Sequence, residues 1–231
     1  MLFRSCVTEN NLVQQYAGEA PFDWRCANVT PIYKKGKKNL ASNYRPVSLT
    51  SQIGKVMEAI IKDDLMGHLK QHNLIRNSQH GFWSGRSCLT NLLKFLEDVT
   101  KDADNGSPVD IIYLDFSKAF DKVPHARLIK KLEAHGIDSK VKTWISEWLN
   151  NRKQRVVISG TSSDWTHVKS GVLQGSVLGP VLFTIYINDI DKDVVCKVLK
   201  LLTTPKCIVR LLPTKMQNYY KNSYETCTNG A

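Results

Sequence analysis

The run Val109-Asp110-Ile111-Ile112-Tyr113-Leu114-Asp115-Phe116-Ser117-Lys118-Ala119-Phe120-Asp121 delivers a carboxylate, Asp115, at the end of an apolar stretch. A second acid, Asp121, follows six residues later. A strand end is a rigid place to hold a metal-binding carboxylate, and Mg²⁺ needs few protein oxygens when substrate phosphates fill the rest of its shell. The competing reading is an aspartate that caps the next turn. Phe120 lies within reach of whatever Asp115 holds, where its ring would either exclude a ribose 2′-OH or fill core. Gln174-Gly175-Ser176-Val177-Leu178-Gly179-Pro180 is a glycine-bracketed loop entering a helix. Such a loop lets backbone approach a ligand, with Gln174 offering amide hydrogen bonds, or is a plain turn. Arg45 has the fork geometry to clamp phosphates, or to make a surface ion pair.

The 231 residues carry a net charge of +11, with 42% hydrophobic and 23% charged residues, as suits a globular protein. The excess charge is local. Between Trp24 and Met57 no Asp or Glu occurs, whereas Arg25, Lys34, Lys35, Lys37, Lys38, Arg45 and Lys55 are basic. A polyanion partner, most simply nucleic acid, is one physical reading, and a solvated basic face is the other. The six cysteines are scattered, without a C-x-x-C pair, which argues against a zinc site or a disulfide framework. Reduced thiols fit the nucleus or cytoplasm. No apolar run approaches the ~20 residues of a membrane span, and no signal-peptide pattern opens the chain.

Several elements must position these residues. Residues 1–24 read as a helix tail and loop. Ala27 to Tyr33 is strand-like but broken by Pro31, and Lys34 to Lys38 is a basic turn. Gly54 to Leu74 is predicted as a helix with Val56, Met57, Ile60, Ile61, Leu65 and Leu69 inward. Ser87 to Asp102 is a second helix, with Leu89, Leu92, Leu93 and Leu96 inward. Val109 to Phe116 is a strand buried on both faces. Pro124 opens a helix at its first position and Gly136 closes it. Val141 to Leu149 is a further helix, with Trp144, Ile145 and Trp148. Gln154 to Ser159 and Trp165 to Ser170 form a hairpin, and Pro180 to Ile190 is the last helix. This order of strands and helices implies an α+β domain. After about Lys200 no periodicity survives.

The order and spacing of these segments resemble the reverse transcriptase domain of non-LTR, LINE-type retrotransposons of the jockey and CR1-like group. The similar stretches are Ala27 to Gly36, Asn43-Tyr44-Arg45-Pro46-Val47-Ser48-Leu49, Gln79-His80-Gly81-Phe82 with Gly85-Arg86-Ser87-Cys88, Tyr113 to Asp121, Gly171 to Pro180, and Ile187-Asn188-Asp189-Ile190. The resemblance runs from about residue 12 to 200. It implies right-hand polymerase fingers and palm copying an RNA template from a DNA primer. Asp115, with the carbonyl of Phe116, would hold two Mg²⁺ ions. Phe120 would be the steric gate against ribonucleotides, and Gln174 and Gly175 would line the pocket for the incoming base pair. Arg45, with Lys34 or Lys35, would bind the dNTP triphosphate. Lys37, Lys38 and Arg86 would contact nucleic acid. Two metals that stabilise the attacking and leaving oxygens suit an in-line phosphoryl transfer.

The pattern breaks where family members place a Phe/Tyr-Ala-Asp-Asp hairpin carrying the second metal-binding acid. Here Leu201-Leu202-Thr203-Thr204-Pro205-Lys206-Cys207-Ile208-Val209 stands instead, and no Asp or Glu occurs between Asp193 and Glu225. One lost base would explain the difference. A message reading TTG CTG ACG ACA CCA AAG TGT ATC GT would encode Leu201 to Val209. With one T restored at its start it would encode Phe-Ala-Asp-Asp-Thr-Lys-Val-Tyr-Arg. The expectation is therefore a partial fingers and palm over residues 1–200, lacking the palm hairpin and thumb, and a frameshifted tail over 201–231. With one of two metal-binding acids gone, the chain is expected to be catalytically defective. The alternative function is that of a non-catalytic, basic nucleic-acid-binding remnant or an inert pseudogene product.

Overall fold

A computed structural model describes residues 21–113, 116, 118–194, 197–201 and 204–210. Two sheets and five helices make an α+β fold among these residues. The first sheet holds β1 (Cys26–Tyr33), β2 (Tyr44–Leu49) and, after four helices and a further strand, β4 (Lys153–Ile158), in the order β2-β1-β4. β1 pairs antiparallel with β2 and parallel with β4. Two short strands, β5 (Thr161–Ser162) and β6 (Thr166–His167), both pair with β4. The predicted hairpin is thus split, because Ser163 turns in to bond the backbone of Val156 before β6 begins.

Pro31 does not break β1, and the register shows why. Pro31 lies opposite Pro46. The Lys34 amide donates to the Asn43 carbonyl, so that pair is hydrogen-bonded and alternation makes the proline pair a non-bonded one. Neither proline therefore withholds a donor from the β1–β2 ladder.

α1 (Gln52–Gln71) starts at Ser51, whose hydroxyl accepts from the Gly54 amide. Met57, Ile61, Leu65 and Leu69 are buried as predicted, while Val56 faces out. α2 (Cys88–Asp104) starts with a reciprocal capping box between Ser87 and Thr90. Its predicted inner face is corrected. Leu89, Leu92, Leu93 and Leu96 are exposed, and Asn91, Phe95, Asp98 and Asp102 are buried. The buried acids are matched across the fold: Lys197 Nζ lies 2.8 Å from Asp98 Oδ1.

β3 (Val109–Tyr113) leads to the Asp115 region, and α3 (His125–Ala134) follows. Pro124 is the cap of α3 rather than its first residue, with extended backbone. α4 (Ser139–Leu149) is capped by the Asp138 side chain on the Lys140 amide. α5 (Gly179–Tyr186) is shorter than predicted, giving way to turns from Ile187. Leu128 and Leu132 of α3, Trp144 and Trp148 of α4, and Leu182 and Phe183 of α5 join the apolar stripe of α1 in one core.

The chain ends its described part with β7 (Lys197–Leu201) and β8 (Thr204–Arg210). They form an antiparallel hairpin that adds to β3 in the order β3-β8-β7. Strands thus continue past Lys200, where the sequence reading expected no further periodicity. Val198-Leu199 and Cys207-Ile208-Val209 carry the apolar, partly β-branched character that favours strands, whatever the origin of the residues.

Candidate functional site

The Gln174–Gly175 loop is clamped from three sides. On the first, it meets β2: the Ser48 amide donates to the Gln174 carbonyl at 2.9 Å. Gly175 has φ +109°, and a Cβ there would sit 2.8 Å from the Ser48 carbonyl oxygen. Only glycine allows that approach. On the second, Ser176 Oγ accepts from the Gly179 amide and donates to the Leu173 carbonyl. On the third, buried Glu58 of α1 accepts the amides of Val177 at 2.7 Å and Leu178 at 3.2 Å. Arg45 lies three residues before Ser48 on the strand that holds the loop. The structure therefore brings the predicted pair Gln174–Gly175 next to the strand of Arg45.

Glu58 is a residue that the sequence reading missed. Burial raises its pKa, while the two amides and nearby Arg152 act in the opposite direction. Arg152 is fully buried, with its guanidinium 4.9 Å from the Trp148 ring centroid. Burial lowers its pKa to about 10, opposed by the charge of Glu58. The available signal was that Glu58 shares the Ile61, Leu65 and Leu69 face of α1.

A second loop pair joins the residues after Asp115 to the Gly171 segment. The Val172 amide donates to the Phe120 carbonyl, and the Gly171 amide to the Val123 carbonyl, each at 2.8 Å. Gly171 has φ +97°, and a Cβ there would lie 2.7 Å from the Asp121 carbonyl oxygen. His125 Nε2 donates to the Gly171 carbonyl at 2.9 Å, and burial lowers its pKa. Phe120 is half-buried and stacks on Phe183, with centroids 4.6 Å apart. It is thus anchored in the core. Burial raises the pKa of Asp121, while Lys118 and Lys34 act to lower it. Lys34 of the basic turn therefore sits in the electrostatic neighbourhood of the Asp121 segment. Asp115 itself lies outside the described residues, and Phe116 is half-buried.

The turn between β1 and β2 is built to project its lysines. Tyr33 Oη donates to the Gly36 carbonyl, Asn43 Nδ2 to the Lys37 carbonyl and Tyr44 Oη to the Lys38 carbonyl. Lys34, Lys35, Lys37 and Lys38 are all exposed, as is Arg45. Arg86 is placed differently. Its guanidinium donates to the carbonyls of Arg76, Asn77 and Gln79 and to Asn77 Oδ1. A phosphate at Arg86 would share the guanidinium with the loop that it holds.

The Ile187-Asn188-Asp189-Ile190 segment ties this region to the β3-β8-β7 sheet. Asn188 donates to the Leu74 carbonyl and accepts from the Arg76 amide. Lys200, fully buried, donates to the Asn188 carbonyl and to Asp191 Oδ1, each at 2.8 Å. Asp191 also meets Ser78 and Arg76. Among the described residues no three His, Cys, Asp or Glu side chains gather to hold a metal ion.

The sequence pattern of the reverse transcriptase (RNA-dependent DNA polymerase) family matches residues 32–209. The chain belongs to that family. It is 27% identical over 177 residues to a probable RNA-directed DNA polymerase from transposon BS of Drosophila melanogaster, covering 74% of this chain and 19% of that protein. It is 29% identical over 173 residues to the RNA-directed DNA polymerase from the mobile element jockey of the same fly, again covering 74% and 19%. The type-1 element R2 Pol polyprotein of Popillia japonica is 25% identical over 183 residues, covering 78% and 25%. This reverse transcriptase segment thus spans about a fifth of the fly relatives' length. In fold it is similar to telomerase from Candida tropicalis, solved with a fragment of telomeric RNA. That likeness has a TM-score of 0.64 at 12% identity, covering 98% of this chain and 42% of telomerase. The α+β polymerase architecture expected from the motifs is the one found. No helix among the described residues is long and apolar enough to cross a membrane.

Proposed function

We propose that this chain is the fingers and palm of an RNA-directed DNA polymerase of a non-LTR mobile element, able to bind nucleic acid but defective in nucleotide transfer. The observation that carries the reading is the clamp of Gln174 and Gly175 onto β2. It supports a nucleotide pocket with Arg45 beside it and Lys34 near the Asp121 segment. Arg45, with Lys34 or Lys35, would meet the triphosphate, and Phe120 would face the sugar. The exposed lysines of the β1–β2 turn would follow the template backbone, and Lys37 and Lys38 belong to that surface. Arg86 acts chiefly by fixing the loop at Asn77 to Gln79. The setting is intracellular, in the nucleus or cytoplasm.

In this reading Asp115 and the Phe116 carbonyl would hold Mg²⁺, which would neutralise charge on the transferring phosphate. The donor set does not suffice for two ions, because residues 194 to 224 contain no acid. The single-base account of residues 201 to 209 supports a frameshift from an ancestral Phe-Ala-Asp-Asp, with 201–231 as its product. The hairpin of β7 and β8 would then occupy the ancestral place without the ancestral carboxylates.

Primer extension on an RNA template with Mg²⁺ and dNTPs tests the reading. This chain, a frame-restored chain, and Asp115→Ala in each are compared. Activity is expected only in the restored chain with Asp115 intact. Extension by the present chain that is lost with Asp115→Ala would overturn the claim of a defective site. Codons over residues 201 to 209 that cannot regenerate Phe-Ala-Asp-Asp would overturn the frameshift account.

A further inference from the structure

The face of the first sheet that carries Arg45 also carries a basic and aromatic group with no role in the pocket. The strand registers place it. Arg45 lies opposite Ile32, and Asn28, four residues earlier on β1, is aligned with Arg155 of β4. Arg155 Nε donates to Asn28 Oδ1 at 2.9 Å, so both side chains share that face. Across β4, Lys153 is paired with His167 and Gln154 with Thr166, which brings Trp165 opposite Arg155. The Arg155 guanidinium lies 4.6 Å from the Trp165 ring centroid. Alternation keeps Lys153 and His167 on the same face. None of the strand residues on this face of β1, β2 or β4 is acidic. Asp164 lies one residue out of this register.

Trp165 is 43% exposed although the guanidinium takes one side of its ring. An isolated exposed tryptophan needs no explanation. One set by a cross-strand arginine, beside a lysine–histidine pair, is the composition of a single-stranded nucleic-acid platform. The arginine orients the indole and supplies charge for a phosphate, and the rest of the ring is left to stack on a base. Strand spacing and rise put Arg155 about 16 Å from Arg45, within reach of a few nucleotides.

We infer that Trp165 and Arg155, with Lys153 and His167 beside them, form a stacking subsite for an unpaired RNA base outside the nucleotide pocket. This rests on the reading of the chain as a nucleic-acid-binding polymerase segment. The subsite is sequence-tolerant, because stacking uses the face of any base.

Fluorescence anisotropy of a labelled oligouridylate of about twelve nucleotides, with the present chain at low salt, tests it. Trp165→Ala is expected to weaken binding about tenfold, and Trp165→Tyr to retain most of the affinity. Arg155→Gln should weaken binding and reduce its salt dependence. Thermal melts of the three variants identify any loss of fold, and Trp165→Tyr serves as the folded control. Unchanged affinity in a folded Trp165→Ala chain would overturn the subsite while leaving the polymerase reading intact. Failure of the unaltered chain to bind either the oligomer or a primer–template would overturn both.

Discussion

Glu58 on α1 accepts the Val177 amide at 2.7 Å, so a buried carboxylate on one helix fixes the entry to another. It does so next to the loop of Gln174 and Gly175. Removing the carboxylate leaves two amides unbonded and takes an opposite charge away from Arg152. Glu58→Ala is expected to cost about 3 kcal/mol in urea unfolding, and Glu58→Gln less, since its amide oxygen still accepts.

The same residue predicts a pH dependence. Its pKa is raised in the fold, mainly by burial. The folded chain therefore keeps a proton that the unfolded chain releases. Stability contributed by this group should fall as pH climbs from the ordinary glutamate value through the raised one. Melting temperatures of the parent and Glu58→Gln across mildly acidic pH would show it, with the variant giving the flatter curve.

Gly175→Ala should cost about 2 kcal/mol, because the added carbon meets the Ser48 carbonyl and the backbone is held at positive φ. In the frame-restored chain the same substitution should raise the KM for dNTP, as β2 and the loop are pushed apart. A stability change without any change in KM would separate the clamp from the pocket.

Phe120→Ala should lower stability by about 2 kcal/mol or more through loss of its stack on Phe183. In the frame-restored chain it should also increase ribonucleotide incorporation relative to deoxyribonucleotide. Loss of stability with unchanged sugar selection would leave Phe120 as a core residue alone.

The lysines of the β1–β2 turn are exposed, so their contribution should be electrostatic. Replacing Lys35, Lys37 and Lys38 by Gln should weaken RNA binding and leave the melting temperature nearly unchanged. Each lost phosphate contact should reduce the slope of log affinity against log salt by about 0.7. Titrations at several salt concentrations measure it.

Much of this fold could be read from local signals. α1 announced itself by its apolar spacing, and Ser51 and Ser87 supplied caps close to the predicted starts. The Gly-bracketed loop, Arg45 and the basic turn were named from residue type and order, and the structure places the loop on Arg45's strand. What failed depended on partners distant in sequence. The leucines of α2 read as an inner face, but Asp98 and Asp102 are turned inward, where Lys197 offers a charge. Glu58 was not singled out because its partners lie about 120 residues away. The β7–β8 hairpin was not legible because Pro205 interrupts the segment and no Asp-Asp pair marks it, although its residues suit strands. Asp115 lies outside the described residues and rests on the sequence alone.

The facing prolines of β1 and β2 have a consequence for how copies of this chain meet one another. Since Pro31 and Pro46 form a non-bonded pair, the amides of Tyr44 and Ser48 point away from β1, as does the donorless nitrogen of Pro46. The Tyr44 amide is taken by the Ala41 carbonyl, and the Ser48 amide by the Gln174 carbonyl. From Tyr44 to Ser48 the outer margin of the sheet thus has no free amide hydrogen to offer. A stray strand from a neighbouring molecule would meet carbonyl acceptors there but no donors, so only half of a new ladder could form, which disfavours edge-to-edge aggregation at this margin.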